Sequence, residues 1–314
     1  MFDRCKALKS VFADLSRFPR EAEAEVPHPE GALRATFLGV STVLLDDGEH
    51  AVLTDGFFSR PGILRVLAGR IGPDQRRIDQ VLERPGFDHL DVVAVTHSHF
   101  DHALDSTAVA EQTGAHLLGS ESTRQIAQGN HFPSDRFLLA RDAEAHRFGD
   151  FEVTMIESAH SPGDAFPGVI DAPLQTPATS RAFKTGDTYS VLVAHRGRRV
   201  LIHGSAGFVP GALDGHAADT IYLGVGVLGK QSEKYREEYW NEVVVATGAR
   251  RIVPVHWDNF TRPLSRPLRP VPRPADEIDT ALSWLQARSE REGIEFELPR
   301  AGVPVNPWPR GVGE

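Results

Sequence analysis

The sequence predicts an α/β (α+β) fold in which two mixed β-sheets pack face to face with helices outside. Three observations carry this. Strand-like runs are followed by helical segments in each of two successive halves, the pattern of layered sheets covered by helices. The segment DVVAVTH (91–97) is continuously apolar up to its end, the signature of a strand buried on both faces. No self-similarity at a short fixed period is present, which excludes a solenoid.

The elements follow in order. Residues 1–30 read as an N-terminal helical arm, KALKSVFADLSRF, and an acidic, Pro-containing link. ATFLGVSTVLL (35–45) and HAVLTD (50–55) are β-rich and split by a DDGE turn. RPGILRVLAGRIG and RRIDQVLERPG read as short helices or loops, and HALDSTAVAEQTG as a helix stopped by Gly114. HLLGS is a short strand, and SESTRQIAQG opens with serines suited to capping a helix. In the second half DFEVTMIESAHS is a strand ending at His160, and TYSVLVAHRGRRVLIHG is a hairpin turning on Arg-Gly. DTIYLGV is a strand, KQSEKYREEYWNEVVVATG a helix, and RRIVPVHWD a strand that delivers His256. Beyond it TRPLSRPLRPVPRP must be an extended loop, because proline lacks the donor a helix needs. ADEIDTALSWLQARSEREG is an amphipathic helix, and LPRAGVPVNPWPRGVGE is expected as a loosely ordered tail. The division is therefore an arm at 1–30, a catalytic domain at 31–262, and a loop, helix and tail at 263–314 packed on the same domain.

Composition narrows the function classes. Of 314 residues, 40% are hydrophobic and 25% charged, a balance that supports one packed core. The net charge of −9 argues against nucleic-acid binding. No apolar run reaches the ~20 residues a membrane span requires, and the N-terminus lacks the apolar stretch of a signal peptide. Cys5 is the single cysteine, which excludes a disulfide framework within the chain and disfavours thiolate metal sites. A cytoplasmic protein is the expectation. Histidine is the anomaly: there are 14, several in tight groups.

The tightest group is His97, His99, Asp101 and His102, at the carboxyl end of the apolar run. Imidazole nitrogens and carboxylates are the standard ligands of zinc and similar divalent ions. Alternate residues of an extended chain project to one side, so His97 and His99 can share one target. The turn that follows can aim Asp101 and His102 at a second. A polar loop of solvated histidines is the competing reading, and four ligand-type residues in six positions disfavour it.

THSHFDHALD (96–105) resembles the signature of the metallo-β-lactamase superfamily, over roughly residues 32–262. TDGFFSRPG (54–62) resembles the branch holding N-acylphosphatidylethanolamine phospholipases and ascorbate-phosphate lactonases. The resemblance implies a four-layer αββα sandwich. It implies a first metal on His97, His99 and His160 and a second on Asp101, His102 and His256. Asp55 would fix the ligand loop by hydrogen bonds. At the family's bridging aspartate this chain has Ser205, in RRVLIHGSAGF, with His203 as a reserve ligand; Asp187 opens the hairpin instead. The implied activity is that of a metallo-hydrolase: a metal-bound hydroxide attacking an ester, amide, lactone or phosphoester of a small molecule. Asp101 would orient the water and shuttle a proton. The cofactor is one or two Zn2+, with Mn2+ or iron as alternatives. Arg262, Arg266, Arg269 and Arg273 follow a ligand closely and either hold an anionic substrate group or form a solvated loop. A phosphodiesterase or phospholipase, and a non-hydrolytic di-iron redox or sensor protein, are the competing functions. A small-molecule substrate is the expected partner, with homo-oligomerisation left open.

Overall fold

The structure, a computed structural model, describes residues 11–22, 31–273 and 275–311. Its first half contains β1 (Arg34–Phe37), β2 (Val43–Asp46), β3 (Ala51–Thr54), α1 (Ile63–Ala68), α2 (Gln75–Leu82), β4 (Leu90–Ala94), α3 (Phe100–Ala103), α4 (Ser106–Thr113), β5 (His116–Gly119), α5 (Glu121–Gly129) and β6 (Phe137–Leu139). The second contains β7 (Ala145–Phe148), β8 (Phe151–Ser158), β9 (Thr188–His195), β10 (Arg198–His203), β11 (Thr220–Gly224), α6 (Glu233–Trp240), β12 (Arg251–Val255), α7 (Ile278–Glu292), β13 (Glu295–Phe296) and β14 (Pro304–Val305).

These strands form two seven-stranded mixed sheets, in the orders β14-β1-β2-β3-β4-β5-β6 and β13-β12-β11-β10-β9-β8-β7. Each is antiparallel at one end and parallel at the other, with β3 to β6 parallel in the first and β10 to β13 parallel in the second. Side chains of the first sheet alternate between two cores. Val43, Leu45, Val52, Val92 and Ala94 join the larger core with the second sheet. Leu44, Ala51, Leu53, Val93 and Val95 face the other way, into a second core with Val66, Ile78, Val109 and Ile126 of the helices. The period of two in the strands thus feeds both layers at once, and the expected sandwich is present.

The ends of the chain depart from expectation. Residues 11–18 were expected within a helix, but residues 11–22 run as turns with one bridge from Arg20 to Leu298. Asp14 accepts hydrogen bonds from both the amide and the hydroxyl of Ser16, a local turn that competes with helix. Residues 1–10 and 23–30 of that arm lie outside the described residues. Up to residue 311 the tail is not loose either: β14 pairs with β1, and Arg251 donates to the carbonyls of Asn306 and Trp308 at 3.0 and 3.1 Å, while residues 312–314 lie outside the described residues.

Arg251 also bonds Glu21 at 2.8 Å and Glu297 at 3.2 Å, all three buried, so one guanidinium ties both ends of the chain to β12. Burial raises the Glu21 carboxyl to about 7; the Arg251 charge opposes that rise and Glu297 reinforces it. The folded-state pKa stands above the unfolded value, so as pH rises the unfolded chain releases this proton first. The contribution is full below about 4.5 and is lost as pH approaches 7. Urea unfolding of the wild type should therefore show up to about 1.4 kcal/mol of stability lost per pH unit across that window, from this group alone. Glu21→Gln should remove that component; an identical pH profile in the variant would rule it out.

Candidate metal centre

The candidate centre lies at the carboxyl ends of β4, β8 and β12, so both sheets build it. β4 is buried because Val92, Val93, Ala94 and Val95 are fully enclosed, and it runs straight into Thr96 and His97. His99 is the residue before the first turn of α3, and Asp101 and His102 lie in that turn. His160 follows β8, where the Ser205 hydroxyl accepts from the Ser161 amide at 2.9 Å and the Ser161 carbonyl engages His160 Nδ1 at 2.9 Å. His256 follows β12 in a left-handed backbone conformation (φ 61°), its amide bonded to the Val40 carbonyl at 2.7 Å.

The six ligand-type residues converge as two triads. One potential ligand atom from each of His97, His99 and His160 lies within 4.8 Å of the others, and the same holds for Asp101, His102 and His256. The triads adjoin each other, with the His97 and His102 ring centroids 3.8 Å apart. Asp101 Oδ2 is 3.8 Å from His102 Nε2 and 3.4 Å from His256 Nε2.

Carboxylates orient the rings from behind. Asp55 is fully buried, also at positive φ (57°), and sits 2.8 Å from His102 Nδ1. It accepts from the Ser41 hydroxyl at 2.5 Å and from the Thr96 amide and hydroxyl at 2.8 and 2.9 Å. His102 Nε2 is thereby turned inward, where it is buried without a hydrogen-bond partner, as is His97 Nε2. His99 has a counterpart that sequence reasoning missed: Asp164 Oδ1 is 3.2 Å and Thr185 Oγ1 3.1 Å from its Nε2, which leaves Nδ1 for the centre. The Thr185 hydroxyl also donates to Asp164. A partner carboxylate fixing a ligand imidazole is a common companion of metal sites. Two buried imidazole nitrogens without partners, facing a converged His/Asp donor set, fit a divalent cation. An orphaned buried polar atom is otherwise costly.

The electrostatics agree. Burial pushes His97 well below the usual imidazole range, and the neighbouring imidazoles push it further; burial and His99 lower His160 to about 4. Both are thereby kept neutral and able to ligate. Burial works against an ionised Asp101, but His102 and His256 outweigh it and hold the carboxyl below its ordinary range.

The remaining expected residues separate. Ser205 stands at the end of β10, bonded to the turn that carries His160. His203, the reserve ligand, is not in either triad: its Nδ1 meets Ser190 Oγ at 2.8 Å and its Nε2 the Gly207 carbonyl at 2.7 Å. Asp187 immediately precedes β9. Arg262 Nε donates to the Pro267 carbonyl, and Arg266 lines a cavity other than the one at His160. Arg273 pairs with Asp279 at 2.7 Å, and the Arg269 carbonyl accepts from the Asn259 amide. Gly226 makes room for the His256 ring, since a Cβ there would stand 3.2 Å from His256 Nδ1.

Beneath the centre lies an ion pair that sequence did not reveal. Arg60 and Asp258 are both fully buried and 2.7 Å apart. Asp258 accepts from the Val40 amide at 2.8 Å, and Val40 in turn holds the His256 amide. Gly39 packs against the guanidinium so closely that no Cβ would fit, at a φ of 93° that favours glycine.

The sequence profile of the family described as "Beta-lactamase superfamily domain" matches residues 50–257, which span every residue of both triads. The chain belongs to the metallo-β-lactamase superfamily. Among curated relatives of this superfamily member, a UPF0173 metal-dependent hydrolase of Rubrobacter xylanophilus is 28% identical over 132 residues, 42% of this chain and 47% of that one. A UPF0173 metal-dependent hydrolase of Anaeromyxobacter sp. (strain K) is 33% identical over 79 residues, 24% and 29% of the two chains. The matches thus span less than half of those relatives' lengths. Among solved structures, a possible metal-dependent hydrolase from Veillonella parvula superposes with a TM-score of 0.54 at 13% identity, covering 88% of this chain and 99% of that one. CmlA, a diiron β-hydroxylase from Streptomyces venezuelae, gives 0.51 at 16%, covering 88% and 54%. At such identities these two show the superfamily fold alone. No helix among the described residues is long and apolar enough to cross a membrane.

Proposed function

We propose that the protein is a metal-dependent hydrolase acting on a carbonyl bond (ester, amide or lactone) of a small molecule. The observation that carries the reading is the pair of converging triads with buried, unpartnered imidazole nitrogens. His97, His99 and His160 would hold one ion, and Asp101, His102 and His256 a second. The nitrogen-rich donor set suits zinc, with manganese or iron as alternatives. An ion bound there supplies Lewis-acid chemistry, polarising a carbonyl and making water more acidic. Asp101, ionised and between His102 and His256, orients a water and takes its proton. Asp55 and Asp164 keep the imidazoles facing inward, and Ser205 keeps the His160 turn in place.

Charge around the centre favours a carbonyl substrate over a phosphodiester. The cavity adjoining His160, about 440 Å3, is lined by Asp142, Glu157, Asp164 and Asp187 and by no lysine or arginine. Such a wall repels a phosphodiester and admits a neutral or cationic group. With zinc-loaded protein we expect chelator-sensitive hydrolysis of aryl esters or lactones. An amine-bearing ester should be cleaved about tenfold more efficiently than its anionic analogue. Turnover of phosphodiesters alone would overturn the carbonyl assignment, and chelator-insensitive turnover would overturn the metal.

A further inference from the structure

The Pro-Arg loop, unused by the proposed reaction, forms part of a second cavity of about 570 Å3, together with Phe58 and α2. Four arginines line it: Arg76 and Arg77 from α2, Arg84 just beyond that helix, and Arg266 from the loop after His256. Asp74 is the only carboxylate in its wall, and it is already used. Its side chain caps α2 by accepting from the Arg77 amide, and it pairs with Arg77 Nε at 3.3 Å. Arg77 also donates to the Ser59 and Arg60 carbonyls. Among the described residues, Arg76, Arg84 and Arg266 have no carboxylate partner. Arg76, Arg84 and Arg266 are exposed and line one concave space with no carboxylate between them, and a multivalent anion relieves the repulsion of their like charges. Guanidinium presents paired donors that match phosphate oxygens, which a lysine cluster would not. The volume lies in the range of small-molecule sites.

We infer that this cavity is a binding site for a small molecule carrying two phosphate groups, separate from the carboxylate-lined cavity at His160. The test is isothermal titration of the metal-loaded full chain with glucose 1,6-bisphosphate, inorganic phosphate and glucose at low salt. The bisphosphate should bind about tenfold tighter than inorganic phosphate, and glucose should not bind. Arg84→Gln/Arg266→Gln should weaken bisphosphate binding at least about tenfold. His97→Ala, which disturbs the metal centre only, should leave it unchanged. The exposed pair Arg141→Gln/Arg147→Gln lowers the charge equally elsewhere and should have little effect. Absence of bisphosphate binding overturns the inference. So does an equal loss in the Arg141/Arg147 variant, which would mark a general field effect, or a loss confined to His97→Ala, which would place the phosphate on the metal. None of these outcomes bears on whether an ester is hydrolysed, so the two proposals fail separately.

Discussion

Alanine at His97 is expected to lower hydrolytic turnover roughly a thousandfold or more and to reduce bound metal in the same preparation. His97 is 1% exposed, its Nε2 has no protein partner, and its ring stacks closest to the other triad through His102. Removing it deletes one donor of the first triad and leaves a space beside the second. Without metal the expected stability change is modest, because the cost of the space left behind is offset by removing an unpartnered buried nitrogen that is itself costly. The check is paired: turnover and metal content on one sample, with unfolding measured in chelator. Full activity in a metal-free variant would remove the basis of the hydrolase reading.

The second large effect concerns the frame beneath the centre. Arg60→Met should destabilise the protein by about 3–5 kcal/mol, since Asp258 would be left as an unpaired buried charge. Its consequence reaches the site through a short chain of contacts. Asp258 holds the Val40 amide, the Val40 carbonyl holds the His256 amide, and His256 completes the second triad. Metal bound at that triad should therefore weaken along with the fold. The double variant Arg60→Met/Asp258→Leu should recover part of the stability and little of the metal affinity, because it removes the buried charge and the Val40 contact together. Urea unfolding and chelator competition read the two quantities independently. A single variant within about 0.5 kcal/mol of wild type would show that the pair does not hold the frame.

What was legible in the sequence is what is local in it. The ligand cluster spans six residues at the end of an apolar strand, so composition, burial and geometry are visible together in THSHFDH. His160 and His256 were legible because each terminates a β run, and the sheets bring those ends to one place. Asp55 was expected to fix the ligand loop by hydrogen bonds, and in the structure it lies 2.8 Å from His102 Nδ1. What escaped is long-range. Arg60 and Asp258 lie 198 positions apart, and neither has a local pattern that names the other. Asp164 sits in an irregular, Pro-containing loop that gives no strand or helix period from which to aim a side chain, and only folding brings it to His99. The edge strands β6, β13 and β14, of two or three residues, are below the length at which alternation becomes a signal. The N-terminal segment misled for a related reason. Ala13, Leu15 and Phe18 look like a helical stripe, yet they bury as part of a turn-rich strap held by Glu21 and Arg251.

The central claim is that each triad binds a divalent ion. Elemental analysis of the wild type, His160→Ala and His256→Ala, purified identically with zinc, tests it most directly. The account predicts that the wild type carries metal at both triads and that each variant loses about one equivalent relative to it, the ion of its own triad. A wild type that retains no metal after exhaustive loading, or variants that retain as much as the wild type, would contradict it.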